Sequence, residues 1–124
     1  MEKKFSILSF KYAYQGLISA IKEEPNLKIH FAIALLVLTL SFFLGLSKQD
    51  WINVILLIGL VFTVELTNTA IEAVVDQFTQ EKHPGAKLAK DISAGAVLIA
   101  SLTAAIVGLI IFLPYLQSLV QMNY

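Results

Sequence analysis

The apolar run from Trp51 to Val64 continues, with nothing to break a helix, straight into Glu65-Leu66-Thr67-Asn68-Thr69-Ala70-Ile71-Glu72-Ala73-Val74-Val75-Asp76. No other stretch restricts the fold as much. At 100° per residue, Glu65, Asn68, Glu72 and Asp76 fall within about 80° of one another on a helical wheel. A helix apolar enough to enter a bilayer thus carries carboxylates and an amide along one stripe. An ionisable group near the bilayer centre costs roughly 2.5–3.5 kcal/mol on insertion scales. So costly a stripe implies a use, and oxygen ligands of this kind suit Mg²⁺ and proton transfer.

The rest of the composition agrees with a membrane setting. Of 124 residues, 57% are hydrophobic and 15% charged, too apolar for a soluble domain of this size. The chain is expected to form one domain, residues 1–124. A net charge of zero gives no reason to expect nucleic-acid binding. Without cysteine, disulfides, thiolate catalysis and thiolate metal sites are excluded.

In chain order, residues 2–23 read as an amphipathic helix lying on the membrane. Lys4, Lys11, Gln15 and Lys22 share one face, and Phe10, Tyr14, Leu17 and Ile21 follow a second, apolar one. No short apolar region with a cleavage site opens the chain, so a signal peptide is not expected. Glu23-Glu24-Pro25-Asn26 is a break, because proline suits a helix start and not a helix interior. Residues 27–46 form the first spanning candidate, and Ser47-Lys48-Gln49-Asp50 a tight polar turn, with Trp51 as an interfacial anchor. The second span is expected over residues 51–78, longer than a bilayer core, so that its acidic stripe straddles one interface. Residues 79–86 read as a polar loop, with Pro84 in the first turn of the following helix. The third span, about residues 87–113, is rich in small residues, among them Ala94, Gly95, Ala96, Ser101, Ala104, Ala105 and Gly108. These predict close, central packing.

All nine basic residues are lysines, and only Lys48 lies in the loop between the first two spans. By the positive-inside tendency, the N-terminus and the 79–90 loop are expected in the cytosol. The acidic stripe then opens toward the compartment that holds nucleotides. Glu24, Glu65, Asn68, Glu72, Asp76, Lys87, Lys90 and Asp91 collect at that boundary. Such groups could move a phosphoryl group from a nucleotide to a lipid hydroxyl. Composition alone reaches only metal or proton chemistry at the membrane surface.

Two motifs carry a resemblance: Glu65-x-x-Asn68-Thr69-Ala70-Ile71-Glu72-x-x-x-Asp76, and Ala89-Lys90-Asp91-x-x-Ala94-Gly95-Ala96-Val97-Leu98. With Tyr12-x-x-x-Gly16-Leu17 and Glu24, they resemble the bacterial small integral-membrane lipid kinases. These are the diacylglycerol kinases and the Gram-positive undecaprenol kinases. The resemblance implies an all-α membrane protein, a surface helix plus three spans. It further implies a homotrimer in the bacterial cytoplasmic membrane, with active sites shared between neighbouring chains. It implies ATP as phosphoryl donor, Mg²⁺ as cofactor, and a lipid alcohol, undecaprenol or diacylglycerol, as acceptor. By position, Glu65 is the general base, and Asn68 orients that base or the γ-phosphate. Glu24 and Glu72 hold Mg²⁺, and Lys90 and Asp91 contact the nucleotide. Asp76, Glu81, Lys82 and His83 fall on the nucleotide side, with Tyr12 near the base or ribose. Some members carry an arginine in the surface helix where this chain offers only Lys3, Lys4 or Lys11.

Other readings of the same residues stay open. Glu65 reads also, with less weight given the motif spacing, as a structural acid bonded across helices, and Glu72 and Asp76 as a solvated helix end pairing with Lys82 or Lys87. His30 reads as an interfacial or packing residue. A non-enzymatic channel would line a pore with the stripe, and an accessory subunit would bind no nucleotide.

Overall fold

Proline at position 25 forces the residue before it out of the helical region. Glu24 accordingly has φ −99° and ψ 112° and separates two helices. The computed structural model describes residues 7–79 and 81–122. Its helices are α1 (Ile7–Glu23), α2 (Pro25–Leu44), α3 (Lys48–Phe78) and α4 (Pro84–Met122). Residues 2–6 of the expected surface helix, with Lys3 and Lys4, lie outside the described residues.

The helix ends follow from local chemistry, and they shift several expected limits. α2 begins at Pro25 and stops at Leu44, because Gly45 adopts φ 63° and ψ 50°. Left-handed geometry there lets the Gly45 N–H reach the Phe42 carbonyl and the Leu46 N–H reach the Ser41 carbonyl, ending the helix. α3 begins at Lys48, so most of the expected polar turn is instead its first helical turn. Ser47 caps it, its Oγ accepting from the Asp50 N–H at 3.2 Å and donating to Asp50 Oδ2 at 2.7 Å. α4 does start at Pro84, but where the apolar span was expected to end the helix runs on through Pro114 to Met122.

Three of these helices, α2, α3 and α4, are long and apolar enough to cross a membrane. α3 alone, with 31 residues, extends ~46 Å against a hydrocarbon core of ~30 Å. Their apolar side chains mostly face outward, Phe43 being 79% exposed. In water such a surface would drive association, whereas lipid solvates it. α4 packs chiefly against α3, α2 against α3, and α1 against α2. At one end, Leu46, Val54 and Ile111 form a buried cluster flanked by Trp51 and Tyr115. There Tyr115 Oη donates to Asp50 Oδ2 at 2.6 Å and accepts the Ser47 N–H at 3.0 Å. This clamp ties the α2–α3 turn to α4.

The small residues of α4 do not behave as expected within a single chain. Ala100 is buried, but Ala94, Ala96 and Ala105 are exposed. Nothing lies within 4 Å of where a Cβ on Gly95 or Gly108 would stand.

The left-handed cap gives a direct test. Gly45→Ala should cost about 1 kcal/mol, because a Cβ disfavours that conformation although space is open around it. Thermal unfolding in detergent should show the loss, and Gly108→Ala should show none of this backbone strain.

Candidate active site

Along α3 the expected stripe passes from interior to surface. Glu65 is 3% exposed and Asn68 8%, Glu72 is half-buried and Asp76 exposed. The Glu65 end of the stripe meets α2, whereas the Asp76 end faces the open cleft beside the start of α4. Across from the stripe, α4 presents Ser93, also buried. Ser93 Oγ donates to Asn68 Oδ1 at 2.6 Å, and Asn68 Nδ2 donates to Glu72 Oε1 at 3.3 Å. The order of this chain is fixed by charge. An ionised Glu72 only accepts, so Asn68 must turn its NH₂ toward Glu72 and its carbonyl toward the Ser93 hydroxyl. The same Ser93 Oγ lies 2.9 Å from the Lys90 carbonyl, linking the pair to the turn that carries Lys90.

A turn further out, Lys90 Nζ donates to Asp76 Oδ1 at 2.8 Å. Lys87 pairs with Asp91 along α4. The solvated pairing of Asp76 therefore uses Lys90, where the sequence suggested Lys82 or Lys87. Asp76, Glu81, Lys82, His83, Lys90 and Asp91 all line one open cleft of about 630 Å³, between the end of α3 and the start of α4. His83 has a local duty as well. Its Nδ1 accepts the Gly85 N–H at 3.1 Å and its carbonyl accepts the Lys87 N–H, capping α4.

The remaining candidates lie elsewhere. Tyr12 is exposed on α1 and lines neither this cleft nor the second one. Glu24 is half-buried at the α1–α2 break, its side chain making no capping bond. Among the described residues, no three acidic or histidine side chains are grouped to hold a metal. Glu24 and Glu72 nevertheless suit Mg²⁺, which takes one or two carboxylates and completes its shell with substrate phosphates and water. Glu72 accepts one bond from Asn68, leaving carboxylate oxygen capacity for a cation.

On the adjoining face of α3, Leu66, Thr69, Ala70 and Ala73 meet Ala13, Gly16, Leu17, Ala20 and Glu23 of α1 around a second, mostly apolar groove. The buried end of the stripe meets α2. His30 Nε2 lies 3.9 Å from Glu65 Oε2, and Phe31 packs edge to face on Phe62 beside it, ring centroids 6.5 Å apart. Ser93 was not singled out from the sequence. Its one legible signal is its place three residues after Lys90, a hydroxyl among small apolar neighbours.

Fold and site together define an all-helical membrane protein with an acid–amide stripe that ends beside a lysine-lined cleft. The sequence profile described as Prokaryotic diacylglycerol kinase matches residues 11–112. The chain is 45% identical over 108 residues to an undecaprenol kinase of Bacillus subtilis, covering 87% of this chain and 88% of that protein. It is 41% identical over 114 residues to a diacylglycerol kinase of Synechocystis, covering 91% and 65% respectively. A diacylglycerol kinase of Haemophilus influenzae is 39% identical over 108 residues, covering 86% and 92%. The chain belongs to the prokaryotic diacylglycerol kinase family.

The α3–α4 bond can be tested by stability. Ser93→Ala leaves the buried Asn68 carbonyl without its donor and should cost about 1 kcal/mol. Ser93→Thr keeps the hydroxyl and should recover most of it, as read by unfolding midpoints in detergent.

Proposed function

We propose that this chain transfers the γ-phosphoryl group of ATP to the hydroxyl of a membrane lipid alcohol, with undecaprenol as acceptor and diacylglycerol as the alternative. The observation that carries the reading is the gradient along α3, from a buried carboxylate at Glu65 to an exposed one at Asp76. A lipid hydroxyl and a nucleotide can meet only where such a gradient crosses the interface. The apolar groove beside Ala70 and Ala73 offers room for a lipid chain next to that stripe. The lysine-lined cleft suits phosphates at its opposite end. Undecaprenol is favoured by the higher identity to the relative bearing that name.

In this reading Glu65 takes the proton from the lipid hydroxyl as the new P–O bond forms and the bond to the ADP leaving oxygen breaks. Asn68, its carbonyl held by Ser93, keeps its amide hydrogens aimed at Glu72. Glu72 and Glu24 would hold Mg²⁺, which when bound neutralises phosphate charge. Lys90 and Asp91 contact the phosphates and nucleotide, with Asp76, Glu81, Lys82 and His83 lining that side and Tyr12 near the base or ribose.

The protein sits in the bacterial cytoplasmic membrane with its N-terminus in the cytosol. It assembles as a homotrimer whose chains share active sites. Open space beside Gly95 and Gly108 on α4 supports such assembly. A pore finds less support. Polar groups would have to continue past Glu65, yet the Thr63 hydroxyl is bonded to the Gly59 carbonyl of its own helix.

The test is purified protein with radiolabelled ATP, Mg²⁺ and a panel of lipid alcohols. Label should enter undecaprenol with a higher kcat/KM than diacylglycerol; the reverse order moves the assignment to diacylglycerol. Glu65→Gln should lower kcat by ~10² or more with an unchanged unfolding midpoint. Near-normal turnover would remove Glu65 as the base.

A further inference from the structure

We propose that His30 is the proton relay behind Glu65, receiving the proton that Glu65 takes from the acceptor hydroxyl and passing it to water. The inference rests on the reading of Glu65 as the base. A base must be reset after each turnover, and burial makes that hard for Glu65. At 3% exposure it cannot deliver a proton to bulk water by itself. Toward the open end of the stripe the next polar group is Asn68, whose amide neither gains nor loses protons at ordinary pH and is engaged with Ser93 and Glu72. The exit must therefore lie on another helix.

His30 stands at that exit. Its Nε2 is 3.9 Å from Glu65 Oε2, and its side chain is 21% exposed where that of Glu65 is 4% exposed. The pair thus sets a buried carboxyl beside a partly exposed imidazole. A turn of the Glu65 carboxyl, or one water between them, closes the distance. Imidazole is the side chain suited to accepting and releasing a proton near neutral pH. With its own hydrogen on Nδ1, His30 accepts the Glu65 proton at Nε2 and gives up the Nδ1 hydrogen to water. One proton enters the ring, one leaves, and Glu65 is a carboxylate again.

The location is fixed by packing. His30 lies in the second turn of α2, near the end where α1 joins. The Phe31–Phe62 contact holds this part of α2 against α3. The other charged groups nearby in the chain are Lys22 and Glu23 of α1, Glu24 at the break, Lys28 of α2, and Glu72 two turns further along α3. Among the described residues, Glu65 is the one ion-pairing partner of His30. A histidine that served packing alone would need no carboxylate beside it.

Chemical rescue separates a relay from a packing role. In the full-length protein in detergent, with ATP, Mg²⁺ and undecaprenol, His30→Ala should lower kcat roughly 10-fold or more, below the ~10²–10⁴ expected of a group acting on the substrate itself. Added imidazole should restore kcat in His30→Ala in proportion to its free-base concentration and leave wild type unaffected. His30→Gln, which fills the site but cannot carry a proton, should be slow and insensitive to imidazole. Wild-type turnover in His30→Gln, or a His30→Ala loss that imidazole leaves unchanged, overturns the relay. Glu65→Gln in the same assay keeps the two readings apart. If it turns over normally the base assignment has failed, whereas a dead Glu65→Gln beside normal His30 variants sinks only the relay.

Discussion

Hydrocarbon offers no partner to a polar atom, and everything in this structure follows from that absence. Backbone groups satisfy one another within helices, and the polar side chains of α2, α3 and α4 must find partners inside the protein. Ser41 donates to the Val37 carbonyl, Thr63 to Gly59, and Thr67 to Thr63, each within its own helix. The Ser93–Asn68 bond is of another kind, because it crosses between helices and is buried. It fixes how α3 and α4 are rotated about their axes, and with that the direction in which Glu65 and Glu72 face. Burial also isolates the carboxyl of Glu65 from bulk water.

How much of this could be read from the sequence depended on whether the signal was local. The break at Pro25 follows from proline's own stereochemistry, and the stripe from spacing along one helix. Both are properties of contiguous chain. The start of α3 at Lys48 was hidden because Lys48, Gln49 and Asp50 look like loop residues, although Ser47 and Asp50 also form a cap. The passage of α4 through Pro114 was hidden for a similar reason, since proline ordinarily signals a stop. Gly45 escaped notice until its φ of 63° identified it as the end of α2. Partnerships between helices were the least legible. Neither Ser93 opposite Asn68 nor His30 beside Glu65 leaves a mark in sequence spacing, because each contact depends on how two helices are rotated against each other.

The cleft at the end of α3 is built differently from the stripe. Four of its charged residues, Asp76, Lys87, Lys90 and Asp91, form two exposed pairs, each of which holds weakly. Such pairs exchange one partner for another at little cost. Asn68 and Ser93 are locked by comparison. The site thus joins a yielding charged rim, suited to binding and release, to a rigid interior, suited to holding reacting groups in line.

The Tyr115–Asp50–Ser47 clamp lies at the opposite end of α3 from the acids. It works as a fulcrum. From Asp50 to Glu65 the helix extends ~22 Å, so a tilt of about 3° about the clamp swings the Glu65 carboxyl by roughly 1 Å. Misplacement on that scale can cost ~10²-fold in rate. The stiffness of a tyrosine contact at one end of α3 therefore sets how precisely the carboxyl at its other end is held.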